Sequence, residues 1–156
     1  MMEADLAPRQ DEDTSTKRFK AKRDAILAAA AEAINEQSAK GMTFADVAHR
    51  VGLNTTSVTY YFKRKEDLAA ACFEHTLESL QAMLEEALAE STPQARVAHY
   101  LAINFDRFAR IERGEEKAFA TLSDLRAMEE PLRQRCAALC QRCAAAAALD
   151  ATVSET

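Results

Sequence analysis

Glycine and proline are scarce in this chain, with three of each in 156 residues. Architectures built on many tight turns need both, so their scarcity, with abundant Ala, Leu, Glu and Arg, points to an all-α protein. No apolar run is long enough to span a membrane, and no signal-peptide pattern opens the chain. Acidic and basic residues are mixed near Met1, so a cytoplasmic protein without membrane contact is expected. A glycine-rich phosphate loop, a nucleophile–base pair and a clustered His/carboxylate set are all missing, which argues against an enzyme. Asp106, Glu112, Glu115 and Glu116 read as a solvated charged surface. No cofactor is expected. Cys136, Cys140 and Cys143 lie on adjacent turns near the end and could hold a soft metal or sense redox state. No His is near them in sequence, and free Cys more often behaves as a small buried apolar residue, so no metal is expected.

The net charge of −5 hides a partition. Residues 1–16 hold one basic and five acidic residues, net −4. Residues 17–72 hold ten basic and six acidic, net +4, and residues 73–156 hold nine and fourteen, net −5. A basic head on an acidic body keeps nonspecific attraction to nucleic acid local.

The basic part contains TFADVAHRVGLNTTSVTYYFKRKEDL, from Thr43 to Leu68. Thr43 is a good N-cap, and Asp46 can complete a capping box. Phe44, Val47, Ala48 and Val51 share one helical face. Gly52 permits a positive φ. Asn54 or Thr55 can cap the next helix, whose apolar stripe is Val58, Tyr61 and Phe62. Ala48, Gly52 and Val58 have the spacing of a helix-turn-helix: a small residue for close crossing, a corner, and an apolar plug. The second helix then protrudes in a form suited to a DNA major groove.

The segment from about Arg23 to Cys72 resembles the DNA-binding domain of the TetR/AcrR (tetracycline-repressor-like) family of bacterial transcription regulators. The resemblance rests on RDAILAAAAEAI, on TFADVAHRVGLN, and on VTYYFKRKEDL with Tyr60, Tyr61, Phe62, Lys65 and Leu68. It covers about a third of the chain. It implies a DNA-binding regulator, repressor type, with operator duplex DNA as partner, a homodimer, and release by a small hydrophobic effector. The alternative is a DNA-binding-deficient or truncated member acting as a helical sensor or interaction module. Family members usually have Gly near position 38, where this chain has Ser38, so a slightly different corner is expected. Family members also continue with two further long helices that pair with a partner subunit. This chain ends at Thr156, and the expectations are a compact regulator dimerising through its fifth and last helices, a truncated product, or a partner to a longer relative.

In chain order, residues 1–16 are expected to be a disordered tail, 17–65 the helix-turn-helix domain, 66–149 a helical ligand and dimerisation body, and 150–156 a second tail. Lys17, Arg18, Lys20, Lys22 and Arg23 form a basic patch. As cations at a helix start they oppose the helix dipole, which favours a DNA-facing role for Lys17, Arg18 and Lys22. On the recognition helix, about 54–61, Thr55, Thr56, Ser57, Thr59 and Tyr60 all carry hydroxyls and none carries a charge. Without Arg, Lys or Gln to make the sharpest bidentate base contacts, base discrimination should be modest. Phosphate contacts are assigned to Thr43, Tyr61, Lys63, Arg64 and Lys65. The fourth helix is expected over about 66–90, the fifth over 93–112, another over 115–128, and the last from Pro131 to about Leu149. His99, Tyr100, Asn104, Phe105, Phe108 and Phe119 could line a small-molecule cavity, or form an ordinary bundle core.

Overall fold

The computed structural model of the chain describes residues 10–122 and 129–148. Its helices are α1 (Gln10–Gly41), α2 (Phe44–Val51), α3 (Thr55–Tyr61), α4 (Lys65–Leu88), α5 (Pro93–Glu112) and α6 (Glu130–Ala148). No strand occurs among the described residues, in keeping with the all-α expectation.

The first helix begins earlier than expected. Residues 10–16, assigned above to a disordered tail, are its opening turns. Lys17 and Arg18 therefore sit about two turns inside the helix, and the dipole argument for their role no longer applies. The remaining tail positions, 1–9 and 149–156, lie outside the described residues.

The helix breaks at Ser38, with φ 67° and ψ 164°. This region suits glycine and strains other residues. The break lets the chain turn so that Met42, fully buried, drops into the core. The Met42 N–H donates to the Ser38 carbonyl at 3.0 Å. The corner is thus glycine-like in backbone although its residue is serine.

One core joins the head to the body. Ile26, Ala30 and Ile34 of α1 meet Val47 and Ala48 of α2, Val58 of α3, and Leu68, Cys72 and Phe73 of α4. Buried Cys136 brings α6 into the same cluster, and Arg135 pairs with Glu74 at 2.8 Å beside it. Thr92 caps α5, accepting from Ala95 N–H at 3.2 Å, with Pro93 in the first turn as read from sequence.

The helix expected over 115–128 does not form where it is described. Residues 117–121 are irregular, Leu122 is a single 3₁₀ position, and 123–128 lie outside the described residues. A tertiary contact overrides local helix propensity here. The Asn35 amide donates to the Phe119 carbonyl at 2.7 Å and accepts from the Thr121 N–H at 2.7 Å. One side chain on α1 takes both backbone groups that a helix would need. Thr76 adds a hydrogen bond to the Ala120 carbonyl at 3.4 Å.

Candidate nucleic-acid interface

The α2–α3 unit is built by local rules. Thr43 Oγ1 accepts from the Asp46 N–H at 3.1 Å and donates to the Asp46 carboxylate at 2.6 Å. Gly52 closes α2 at φ 67°, ψ 32°, and Leu53 N–H turns back to the Ala48 carbonyl at 2.9 Å. Asn54, rather than Thr55, caps α3 by accepting from Ser57 N–H at 2.7 Å. Val58 is fully buried beneath the unit. Arg50 forks onto Glu36 and lies 3.7 Å from Glu32, fastening α2 to α1. The Glu36 carboxylate holds the Arg50 guanidinium pKa above its ordinary value, and its own is lowered in turn.

This frame leaves one face of α3 outward. Thr55 and Thr56 are exposed, and Ser57 and Thr59 are partly so. Tyr60 is 66% exposed. Lys22 of α1 shares a shallow cleft of about 160 Å³ with Leu53, Ser57, Tyr60 and Tyr61. The structure therefore brings Lys22 of α1 directly against α3. Lys17 and Arg18 are exposed one turn and more before it, and Lys63 is exposed just past α3.

Several groups assigned to the duplex are engaged within the protein. The Thr43 hydroxyl serves its cap in both directions. Thr59 donates its hydroxyl to the Thr56 carbonyl at 2.9 Å. Lys65 donates to the Lys40 carbonyl at 2.6 Å, bracing the strained corner beyond Ser38. Arg64 reaches Glu129 at 2.6 Å and Asp67 at 3.6 Å, and these carboxylates hold its pKa above the ordinary value. A lysine has three donors and a threonine oxygen two lone pairs, so these contacts compete with a phosphate without barring it.

Sequence reasoning missed Phe19. Its ring lies 4.7 Å from that of Tyr61 and 6.2 Å from that of Tyr60. A visible signal existed: one aromatic residue inside a basic run, with Ala21 its only apolar neighbour within four residues. Arg23, one turn on, lies 5.2 Å over the Phe62 ring.

The six residues assigned to a ligand cavity do not converge. His99 pairs with Glu90 at 3.0 Å and Glu86 at 3.5 Å. Asn104 donates to the Tyr100 carbonyl at 2.7 Å. Phe105 and Phe108 point outward, 69% and 63% exposed. Helical geometry explains the split: at 100° per residue, Phe105 and Phe108 continue the exposed stripe of Val97 and Leu101, while His99, Tyr100 and Asn104 face inward. Phe119 instead lines a cavity of about 650 Å³ among α1, α4 and residues 114–120, with Leu27, Ala31, Cys72, Thr76 and Arg107. Arg107 lies 3.6 Å over the Phe119 ring and 2.5 Å from Glu116. Its Nε is buried without a hydrogen-bond partner, and burial lowers its pKa against the opposing pull of Glu116.

The thiols are dispersed. Cys72 is buried and donates weakly to the Leu27 carbonyl at 3.5 Å, and Cys140 is exposed. Among the described residues, no group of three His, Cys, Asp or Glu side chains could hold a metal ion. The Cys143 side chain lies outside the described set. None of the helices, among the described residues, is long and apolar enough to cross a membrane.

Residues 26–72 match the model of a family described as bacterial regulatory proteins, tetR family. The chain is 34% identical over 87 residues to the HTH-type transcriptional regulator BetI of Burkholderia thailandensis, covering 54% of this chain and 45% of that one. It is 31% identical over 85 residues to BetI of Brucella anthropi, covering 54% and 44%. It thus spans just under half the length of the curated relatives it matches. Its fold is similar to that of the TetR family transcriptional regulator PfmR from Thermus thermophilus, with a TM-score of 0.59 and 21% identity, covering 78% of this chain and 65% of that one.

Proposed function

We propose that this chain, whose residues 26–72 match the model of the tetR family of bacterial regulatory proteins, is a DNA-binding transcriptional regulator of the repressor type. It lays α3 in the major groove of an operator duplex. The observation that carries this reading is the outward face of α3, uncharged and rich in hydroxyls, held beside Lys22 and between exposed cations on either side. Thr55, Thr56, Ser57 and Tyr60 meet the bases, where threonine methyls pack on thymine methyls and hydroxyls donate or accept. Lys17, Arg18, Lys22, Lys63 and Lys65, with Thr43, Thr59 and Tyr61 at the edges, contribute to register and phosphate attraction. Most of the affinity then comes from the phosphates, and base discrimination is modest. Such a protein works in the cytoplasm, where the duplex is.

A palindromic operator needs two reading heads about 34 Å apart, and we place a second copy of this chain opposite the first. The exposed stripe of Val97, Leu101, Phe105 and Phe108 on α5 supports that assignment, because an apolar face of this kind commonly marks an interaction surface. For a small effector, the cavity lined by Leu27, Ala31, Cys72 and Phe119, together with the charged Lys20, Asp24, Arg107 and Glu116, is the better candidate than the set centred on α5. The decisive experiment selects bound sequences from random duplex DNA and measures the salt dependence of the winner. A palindromic winner with steep salt dependence is the expected result. No salt-sensitive affinity for any duplex would overturn the reading.

A further inference from the structure

Three aromatic rings meet at the front of the reading head. Phe19 of α1 is tilted against Tyr61 at 4.7 Å and stands edge-on to Tyr60 at 6.2 Å, while Tyr60 and Tyr61 stand edge-on at 5.3 Å. Core packing does not account for the cluster, since Phe19 is 44% and Tyr60 66% exposed. A phenylalanine left half in water loses much of the benefit of burial. What it does instead is hold two helices in one relation. Arg18 and Lys22 are one turn apart on α1, and Lys22 is three residues beyond Phe19, on the side that meets Ser57 and Tyr60. The Phe19 ring also restricts Tyr60, the most exposed aromatic side chain of α3, to rotamers that keep its edge contact.

We propose that Phe19 is a positioning residue for duplex recognition. It locks Tyr60 in one rotamer and clasps the opening turns of α1 to α3. The basic side chains of α1 and the hydroxyl face of α3 then reach the duplex as a single preformed surface. Without the ring, α3 remains folded on its core, but Tyr60 and the arm must be ordered at the moment of binding. The inference rests on the DNA-binding reading above and names the part of that surface which sets its selectivity.

The test uses the full chain and the duplex obtained by selection, with a scrambled duplex as control. Aromatic pairs of this kind contribute enough to make the expected loss of affinity for the selected duplex about 3- to 10-fold in Phe19→Ala. The scrambled duplex should lose less, so the ratio between them narrows. Phe19→Leu keeps apolar volume but not the ring, and should behave like Phe19→Ala. Phe19→Tyr should restore the ratio. The chain has no tryptophan, and two of its three tyrosines are in the cluster, so near-UV circular dichroism reports on it above a constant contribution from Tyr100. The tyrosine band should weaken in the first two variants, with helicity unchanged in the far UV; Phe19→Tyr adds a tyrosine of its own and is read by the affinity ratio alone. Wild-type selectivity in Phe19→Leu, or equal losses on both duplexes, would refute the positioning role while leaving DNA binding intact. A wild-type chain that binds no duplex would remove both proposals, whatever the tyrosine band does.

Discussion

Replacing Ser38 with glycine is expected to stabilise the fold. Ser38 is the one non-glycine residue at positive φ among the described residues, and its φ 67°, ψ 164° lies where only glycine is at ease. A side chain held there costs about 1–3 kcal/mol. Glycine removes that strain but adds roughly 0.5–1 kcal/mol of backbone entropy to be lost on folding. Taken at the middle of the two ranges, the net gain is about 1 kcal/mol. For a domain of this size each kcal/mol moves the midpoint by about 2–4 °C, so thermal unfolding should shift upward by about 2–4 °C. Ser38→Ala is the control: it keeps a Cβ in the same strained backbone and should stay within about 0.5 kcal/mol of wild type. The corner geometry is set by Met42 in the core and Lys65 on the Lys40 carbonyl, so duplex affinity should not change. A Ser38→Gly protein no more stable than Ser38→Ala in urea and heat would show that the corner is not strained as described.

Other outcomes follow from the same geometry. Gly52→Ala should destabilise by about 1–2 kcal/mol through its left-handed backbone alone, since an added Cβ there meets nothing within 4 Å; an unchanged urea midpoint would contradict this. Lys63→Ala and Lys65→Ala should each weaken binding to all duplexes alike and flatten the salt dependence by about one unit of slope. Lys65→Ala alone should also lower the melting temperature, because the Lys40 carbonyl loses its partner; a change in sequence preference at constant slope would contradict the phosphate role. Burial pushes the Cys72 thiol up to about 12 and the Cys136 thiol up to about 11, so both stay protonated and unreactive at pH 8, while exposed Cys140 alkylates. Peptide mapping after iodoacetamide reads this, and labelling of Cys72 as fast as Cys140 would refute it.

Features governed by neighbours in sequence were legible in the sequence itself. Thr43, Gly52, and Asn54 with Ser57 obey capping and turn rules that act within four residues, although the Asp46 carboxylate takes the Thr43 hydroxyl and not the backbone N–H of a capping box. The folded head followed from the same rules together with one apolar stripe. Legibility fails where distant groups decide. The glycine-like corner at Ser38 is imposed by Met42 and the core beneath it, not by any preference of serine. Residues 115–121 have helix-forming composition, yet Asn35, more than eighty positions earlier, claims their backbone. Phe105 and Phe108 are a different case. Their aromatic character suggested a cavity, but their spacing from Val97 and Leu101 already put them on a separate side of α5 from Tyr100 and Asn104. Periodicity, followed strictly, contained the correction.

Asn35 makes the outer wall of the large cavity a suspended one. Residues 119–121 are tied to α1 by the Asn35 amide, with a weaker tie to Thr76, Ala120 buried in the core and Arg107 over the Phe119 ring. A guest wide enough to push that wall outward pulls on the helix that holds it. Sixteen residues up the same helix, about 24 Å along its axis, stands Phe19 against the recognition tyrosines. Cavity and α3 thus share one continuous helix as their mount, and on the proposed reading a guest that displaces the wall is expected to shift the Phe19 contact as well.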